Sequence, residues 1–173
     1  MCGFIAATNI ASISGFDEWS CSSTGLVSTD PCASGAVWTS VSCSSGFVSQ
    51  LLLNGKGLTG TLPSALGSLS TLGQLDIYGN KMTGPIPGQF GSILSLTKIV
   101  LGSNSLDGAL PAALGGLTNM LHFEISRNCL SGTIPLELGS LTSVSRLQMD
   151  QNFLTGMCLF VCLFVFVSAS ASA

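Results

Sequence analysis

Residues 75–96 read LDIYGNKMTGPIPGQFGSILSL, and residues 99–120 and 123–144 restate that pattern as IVLGSNSLDGALPAALGGLTNM and FEISRNCLSGTIPLELGSLTSV. The period is 24 residues, and it runs beyond these segments in both directions. Pro63, Pro87, Pro111 and Pro135 share it, as do Gly60, Gly84, Gly108, Gly132 and Gly156. Asn80, Asn104, Asn128 and Asn152 keep the same phase. Apolar columns run through Leu51, Leu75, Ile99, Phe123 and Leu147, and through Leu53, Ile77, Leu101, Ile125 and Met149. A third joins Leu58, Met82, Leu106, Leu130 and Leu154, and a fourth Leu66, Phe90, Leu114 and Leu138, each member followed by a glycine. Self-similarity at such a period marks a stack of identical supersecondary units.

Each column has a physical reason. In Gln74-Leu75-Asp76-Ile77-Tyr78, period-two alternation turns Leu75 and Ile77 inward and the other three outward. Stacked copies make a parallel sheet with a polar outer face. The Asn turns the chain out of the strand, its amide bonding backbone groups that the turn leaves unpaired, and stacking predicts a buried amide ladder. Gly84 and its equivalents supply a tight or positive-φ turn. Each Pro sets the direction of a short helical segment expected to end at Gly91 and its equivalents. No single repeat buries its own apolar face, so stability must come from stacking on neighbours.

Composition agrees. The chain has 173 residues, enough for one domain; 46% are hydrophobic and only 8% charged. Disorder needs few apolar residues, so low charge here means many short elements joined by turns. The net charge of -3 and the scatter of Lys56, Lys81, Lys98, Arg127 and Arg146 argue against a nucleic-acid partner. The cysteines show no paired spacing with His or Cys partners that would hold a metal, and no motif calls for a cofactor.

The quoted repeats resemble plant-type leucine-rich repeats, and DPCASGAVWTSVSC at 31–44 is similar to the N-terminal cap of that family. AATN at 6–9 and Trp19 resemble the start of the same cap. The resemblance spans roughly residues 6–156 and extends to receptor-like-kinase ectodomains and polygalacturonase-inhibitor-like proteins. It implies an α/β solenoid: a right-handed arc with a parallel β-sheet on the concave face and short 3-10 or helical turns on the convex face. The expected organisation is a cap segment over 1–47, about four and a half repeats over 48–156, and an apolar tail over 157–173. Lys56 stands where the first ladder Asn is due, as befits an atypical terminal repeat.

The resemblance also implies a disulfide between Cys32 and Cys43; two buried free thiols are the alternative in a reducing compartment. Cys21 is either unpaired or joined to Cys2. Cys129, beside Asn128, is expected to be a small, partly buried thiol. An extracellular or cell-surface location follows from the family, although residues 1–16 carry no Lys or Arg and make a poor secretory signal. No glycosylation sequon is present, which counts against that location. Residues 157–167 are uninterruptedly apolar, a run that as a helix reaches about 16 Å and falls short of a bilayer core. It is a cover for the open solenoid end, a membrane-associated stub, or a segment from a misassigned gene end; the abrupt loss of the repeat favours the last. Membrane association would come only through this tail or through sequence beyond the chain.

Function is sought on the outward strand positions. They form a column of Gln74, Lys98, His122 and Arg146, a second of Asp76, Val100, Glu124 and Gln148, and a third of Tyr78, Gly102, Ser126 and Asp150. All but Gly102 are candidate ligand contacts, with Tyr78 as an aromatic anchor. His122, Glu124 and Ser126 invite reading as a catalytic set. Residues two apart on a strand sit about 6.6 Å from one another, however, and an open sheet face excludes no water, so an enzyme is not expected. The expected function is recognition of a protein, peptide or glycan. The alternative is a structural or adhesive role at a cell surface or wall, or a fragment of a larger receptor-like protein.

Overall fold

Period-two alternation over three or four residues, punctuated by Asn, Gly and Pro every 24, can only build short strands that pair with their own repeats. The computed structural model describes residue 32 and residues 40–156. In chain order its strands are β1 (Val41–Ser44), β2 (Phe47–Leu52), β3 (Thr59–Thr61), β4 (Gln74–Asp76), β5 (Lys81–Gly84) and β6 (Lys98–Val100). They continue with β7 (Ser105–Gly108), β8 (His122–Glu124), β9 (Cys129–Thr133), β10 (Arg146–Gln148) and β11 (Phe153–Thr155). Single 3-10 turns at Ser64–Ser68, Gly88–Ser92, Ala112–Gly116 and Leu136–Ser140 lie between them. The chain is a leucine-rich-repeat solenoid of parallel strands and 3-10 turns.

The main sheet runs β1-β2-β4-β6-β8-β10 and forms the concave face. From β2 onward its strands are parallel, with residues 24 apart opposite each other: Gln50 pairs Gln74, Gln74 pairs Lys98, and Lys98 pairs His122. A second sheet, β11-β9-β7-β5-β3, was not foreseen from the sequence. There the offset is 22, as in Thr59 opposite Lys81 and Asp107 opposite Cys129. Equivalent residues therefore slip by two positions per layer. Strand geometry puts them about 8 Å apart on this second sheet, against about 4.8 Å on the first. The layers are sheared along the strand direction there, while the strands stay paired.

The core lies between the sheets and the 3-10 turns. Leu75, Ile77, Met82, Phe90, Ile99, Leu101 and Leu106 are wholly enclosed. Each proline is extended at φ near the ring-locked value, and its carbonyl accepts the first bond of the turn, as when Phe90 N donates to Pro87 O at 3.1 Å. The turns end one residue past the glycine expected to close them, and the real reason for the glycine is different. A Cβ on Gly67, Gly91 or Gly115 would lie 2.6, 2.2 and 2.2 Å from the carbonyl oxygens of Gln89, Ala113 and Glu137 in the next layer. Close approach between layers, not backbone handedness, demands glycine there. The turn glycines do need handedness: Gly84 and Gly108 have φ of 74° and 79°.

Each ladder asparagine bonds backbone in its own layer and the one before it. The Asn80 carbonyl oxygen accepts from Lys56 N and Leu58 N, both at 3.0 Å, while its amide donates to Leu53 O and Ile77 O at 2.9 Å. Asn104, Asn128 and Asn152 repeat the arrangement, bonding Met82, Leu106 and Leu130 N–H groups. The amides act as rungs between main chains and do not bond one another among the described residues.

At the N-terminal edge β1 pairs antiparallel with β2 through a two-residue turn, Ser45 and Gly46, both at positive φ. Cys32 and Cys43 form a disulfide, with an S–S distance of 2.03 Å, so the free-thiol alternative does not hold. Cys129 is a correction: it is an exposed free thiol, because it opens β9 with its side chain on the outer side of the second sheet. Cys2, Cys21, Trp19 and the 157–167 run lie outside the described residues.

Candidate functional site

The candidate contacts sit on the outer face of the main sheet, and its register sets their order. Gln74, Lys98, His122 and Arg146 are directly opposite one another across β4, β6, β8 and β10. Asp76, Val100, Glu124 and Gln148 form the neighbouring column. Gln50 of β2 extends the first column by one residue that the repeat pattern alone did not single out, although the same 24-residue step reaches it. Beyond the strand ends the backbone keeps step: Gly79 N donates to Gly102 O, Ser103 N to Ser126 O, and Arg127 N to Asp150 O. The third column of Tyr78, Gly102, Ser126 and Asp150 is thereby aligned.

Side chains then divide this face into pairs. Lys98 Nζ lies 3.4 Å from Asp76 Oδ2, an ion pair between adjacent strands. Being part-exposed, it contributes little to stability. Asp76 also accepts the Tyr78 backbone N–H at 3.2 Å. Arg146 Nε donates to Gln148 Oε1 at 2.9 Å. His122 Nε2 lies 3.3 Å from Glu124 Oε2. Side chains two apart on one strand come near each other here because each is long enough to lean across the gap. Among the described residues no hydrogen bond brings the Ser126 hydroxyl to either of them, so no nucleophile joins the pair.

The His122–Glu124 contact is close but poorly aimed. His122 Nε2 is buried and makes no hydrogen bond. Burial holds the imidazole pKa below its ordinary 6.5; Arg146 and Lys98 push it the same way, while Glu124 pulls it back. His122 is therefore neutral at neutral pH.

Val100 and Ser126 were expected to face solvent, yet they are 5% and 7% exposed. A Cβ on Gly102 would lie 2.9 Å from Glu124 Oε1 and 3.2 Å from Tyr78 Cδ2 and Cε2. The ring and the carboxylate thus converge over Gly102. Tyr78 remains 38% exposed, so solvent reaches its ring. Gly102, left out of the candidate contacts, is the position where Tyr78 and Glu124 converge. Among the described residues no group of three His, Cys, Asp or Glu side chains could hold a metal ion, and no helix is long and apolar enough to cross a membrane.

Neither a protein-family profile nor a curated protein matches the chain. Solved structures do. A chain of the BIR3–SERK2 complex from Arabidopsis thaliana is 28% identical with a TM-score of 0.74, over 90% of this chain and 82% of that one. The BIR2 ectodomain from Arabidopsis thaliana is 27% identical with a TM-score of 0.74, over 90% and 80%. The leucine-rich-repeat ectodomain of the Arabidopsis thaliana receptor kinase GASSHO1/SCHENGEN3, solved with CASPARIAN STRIP INTEGRITY FACTOR 2, is 37% identical with a TM-score of 0.68, over 69% of this chain but only 15% of that one. By repeat, fold and these similarities, the chain is a leucine-rich-repeat protein similar to the ectodomains of plant receptor kinases.

Proposed function

We propose that this protein is an extracellular recognition module that binds a protein or peptide across its concave sheet and catalyses no reaction. The observation that carries this reading is the main sheet itself. It is a continuous parallel face whose side chains are ordered by pairing with one another, with Tyr78 open above buried small residues. A rigid, pre-organised polar face with an exposed aromatic anchor loses little conformational entropy on binding. The comparisons support the same assignment, since one similar chain comes from a two-protein complex and another was solved with CASPARIAN STRIP INTEGRITY FACTOR 2. The Cys32–Cys43 disulfide fits an oxidising compartment. The contact residues are drawn from Gln74, Asp76, Tyr78, Lys98, His122, Glu124, Arg146, Gln148 and Asp150; Val100 and Ser126 serve as floor.

A random octapeptide library panned against the full chain tests this reading. Bound peptides should be lost from a Tyr78→Ala, Arg146→Glu double variant and kept by Leu136→Ser, which alters an exposed leucine of a 3-10 turn on the opposite side. Equal retention by both variants would exclude the concave face as the binding surface and leave the spacer role.

A further inference from the structure

We propose that the concave face holds a site for one organic cation, the guanidinium or ammonium group of a basic peptide side chain, seated against Tyr78 and the Glu124 carboxylate above Gly102. The proposal rests on the reading of this face as the ligand surface and names the chemistry that the ligand brings.

Three observations converge. Glu124 Oε1 and the Tyr78 ring carbons Cδ2 and Cε2 converge on bare Gly102, 2.9 and 3.2 Å from where a Cβ would stand, so ring and carboxylate are no farther apart than those two distances combined. An aromatic ring beside a carboxylate is the pairing that holds an organic cation, the ring by its quadrupole and the carboxylate by charge-assisted hydrogen bonds. Second, the Glu124 side chain is only 13% exposed, in surroundings where its charge acts more strongly than in bulk water.

Third, among the described residues no lysine or arginine forms an ion pair with that carboxylate. Lys98 of β6 is drawn to Asp76, and Arg146 of β10 donates to Gln148. The near neighbour, His122, is flanked by Lys98, Arg146 and Glu124, and burial with the two cations keeps it neutral at neutral pH. The pairing on this face thus leaves Glu124 to be neutralised from outside, beside the part-exposed Tyr78 ring. Acidification reverses this. A protonated His122 neutralises Glu124 internally and competes with the ligand.

The library experiment decides the matter, extended with Glu124→Gln and Gly102→Ala. Peptides that bind the concave face should carry Arg or Lys at one enriched position. Replacing that residue with uncharged, isosteric citrulline should weaken binding about tenfold, and Glu124→Gln should abolish the difference between arginine and citrulline. Gly102→Ala retains both groups but wedges them apart, and should weaken the arginine peptide about threefold. Lysine in place of arginine shows whether ammonium serves as well as guanidinium. Concave-face binders that lack a basic residue, or an arginine preference that persists in Glu124→Gln, overturn the cation site while leaving the recognition reading intact. Absence of any binder sensitive to Tyr78→Ala, Arg146→Glu overturns both.

Discussion

The two ends of the solenoid are built from the same repeat and meet opposite fates. At the N-terminal edge, β1 turns back and pairs antiparallel with β2, so the first parallel strand has a partner on each side. The Cys32–Cys43 disulfide ties that hairpin down, and Cys32 packs against the core. At the other edge, among the described residues, β10 and β11 each have one neighbour. A cavity of about 280 Å³ opens there, lined by Ile134, Leu147, Met149 and Leu154 with Asp150, Gln151 and Asn152. Ile77 and Ile125 are fully enclosed, whereas Met149, in the same column, is half-buried. The difference teaches where full enclosure comes from: Leu147 is buried within the last layer at 7% exposure, but the column of Met149 is sealed only where a next layer covers it.

The largest expected effect probes this comparison through the ladder. Asn128 is buried and bonds Leu106 N, Leu101 O and Ile125 O. Asn128→Ala strands these groups inside the stack and should cost about 4 kcal/mol in denaturant unfolding. Asn152 makes the matching bonds in the open layer, where water can replace it, and Asn152→Ala should cost about 1–2 kcal/mol. Equal costs would show that both layers are equally closed.

Glycines give a sharper contrast. Gly115→Ala drives a Cβ into the Glu137 carbonyl and should cost about 3 kcal/mol. Gly139 occupies the same place in its repeat and meets nothing within 4 Å, so Gly139→Ala should stay within about 0.5 kcal/mol of the parent. A large penalty at Gly139 would mean that chain beyond the described residues packs against the last layer.

At the closed end, Cys43→Ser opens a covalent loop with a sequence separation of 11 and should lower stability by about 2–3 kcal/mol under non-reducing conditions. A reductant should do the same to the parent and nothing further to the variant. If reduction left the melting temperature unchanged, β1 pairing alone would be closing that edge.

The smallest effect lies between the ends. His122 has its folded pKa depressed below 6.5, so below that pH the unfolded chain binds more protons than the folded one. Stability should therefore fall as pH drops through and below 6.5, and His122→Gln should flatten that part of the profile. A parent and variant with parallel pH profiles would show that the imidazole is not held neutral by its surroundings.

Much of this was legible in the residues themselves. The 24-residue step located β4, β6, β8 and β10, put Leu75, Ile99 and Phe123 inside, and ordered Gln74, Lys98, His122 and Arg146 into a column. It could do so because period-two alternation and strand pairing are local rules that repetition makes unambiguous. Contact between layers lay beyond such reading. The 22-residue register of the second sheet, the carbonyls facing Gly91 and Gly115, and the ring and carboxylate meeting over Gly102 depend on how far one layer slips past the next. So does the exposure of Cys129, which the side of β9 it occupies decides. Sequence determined which positions recur and which way each residue of the main sheet points. Only the tertiary structure decided which neighbours close over them, because that distance is set by the stacking of many layers at once and is written in no single repeat.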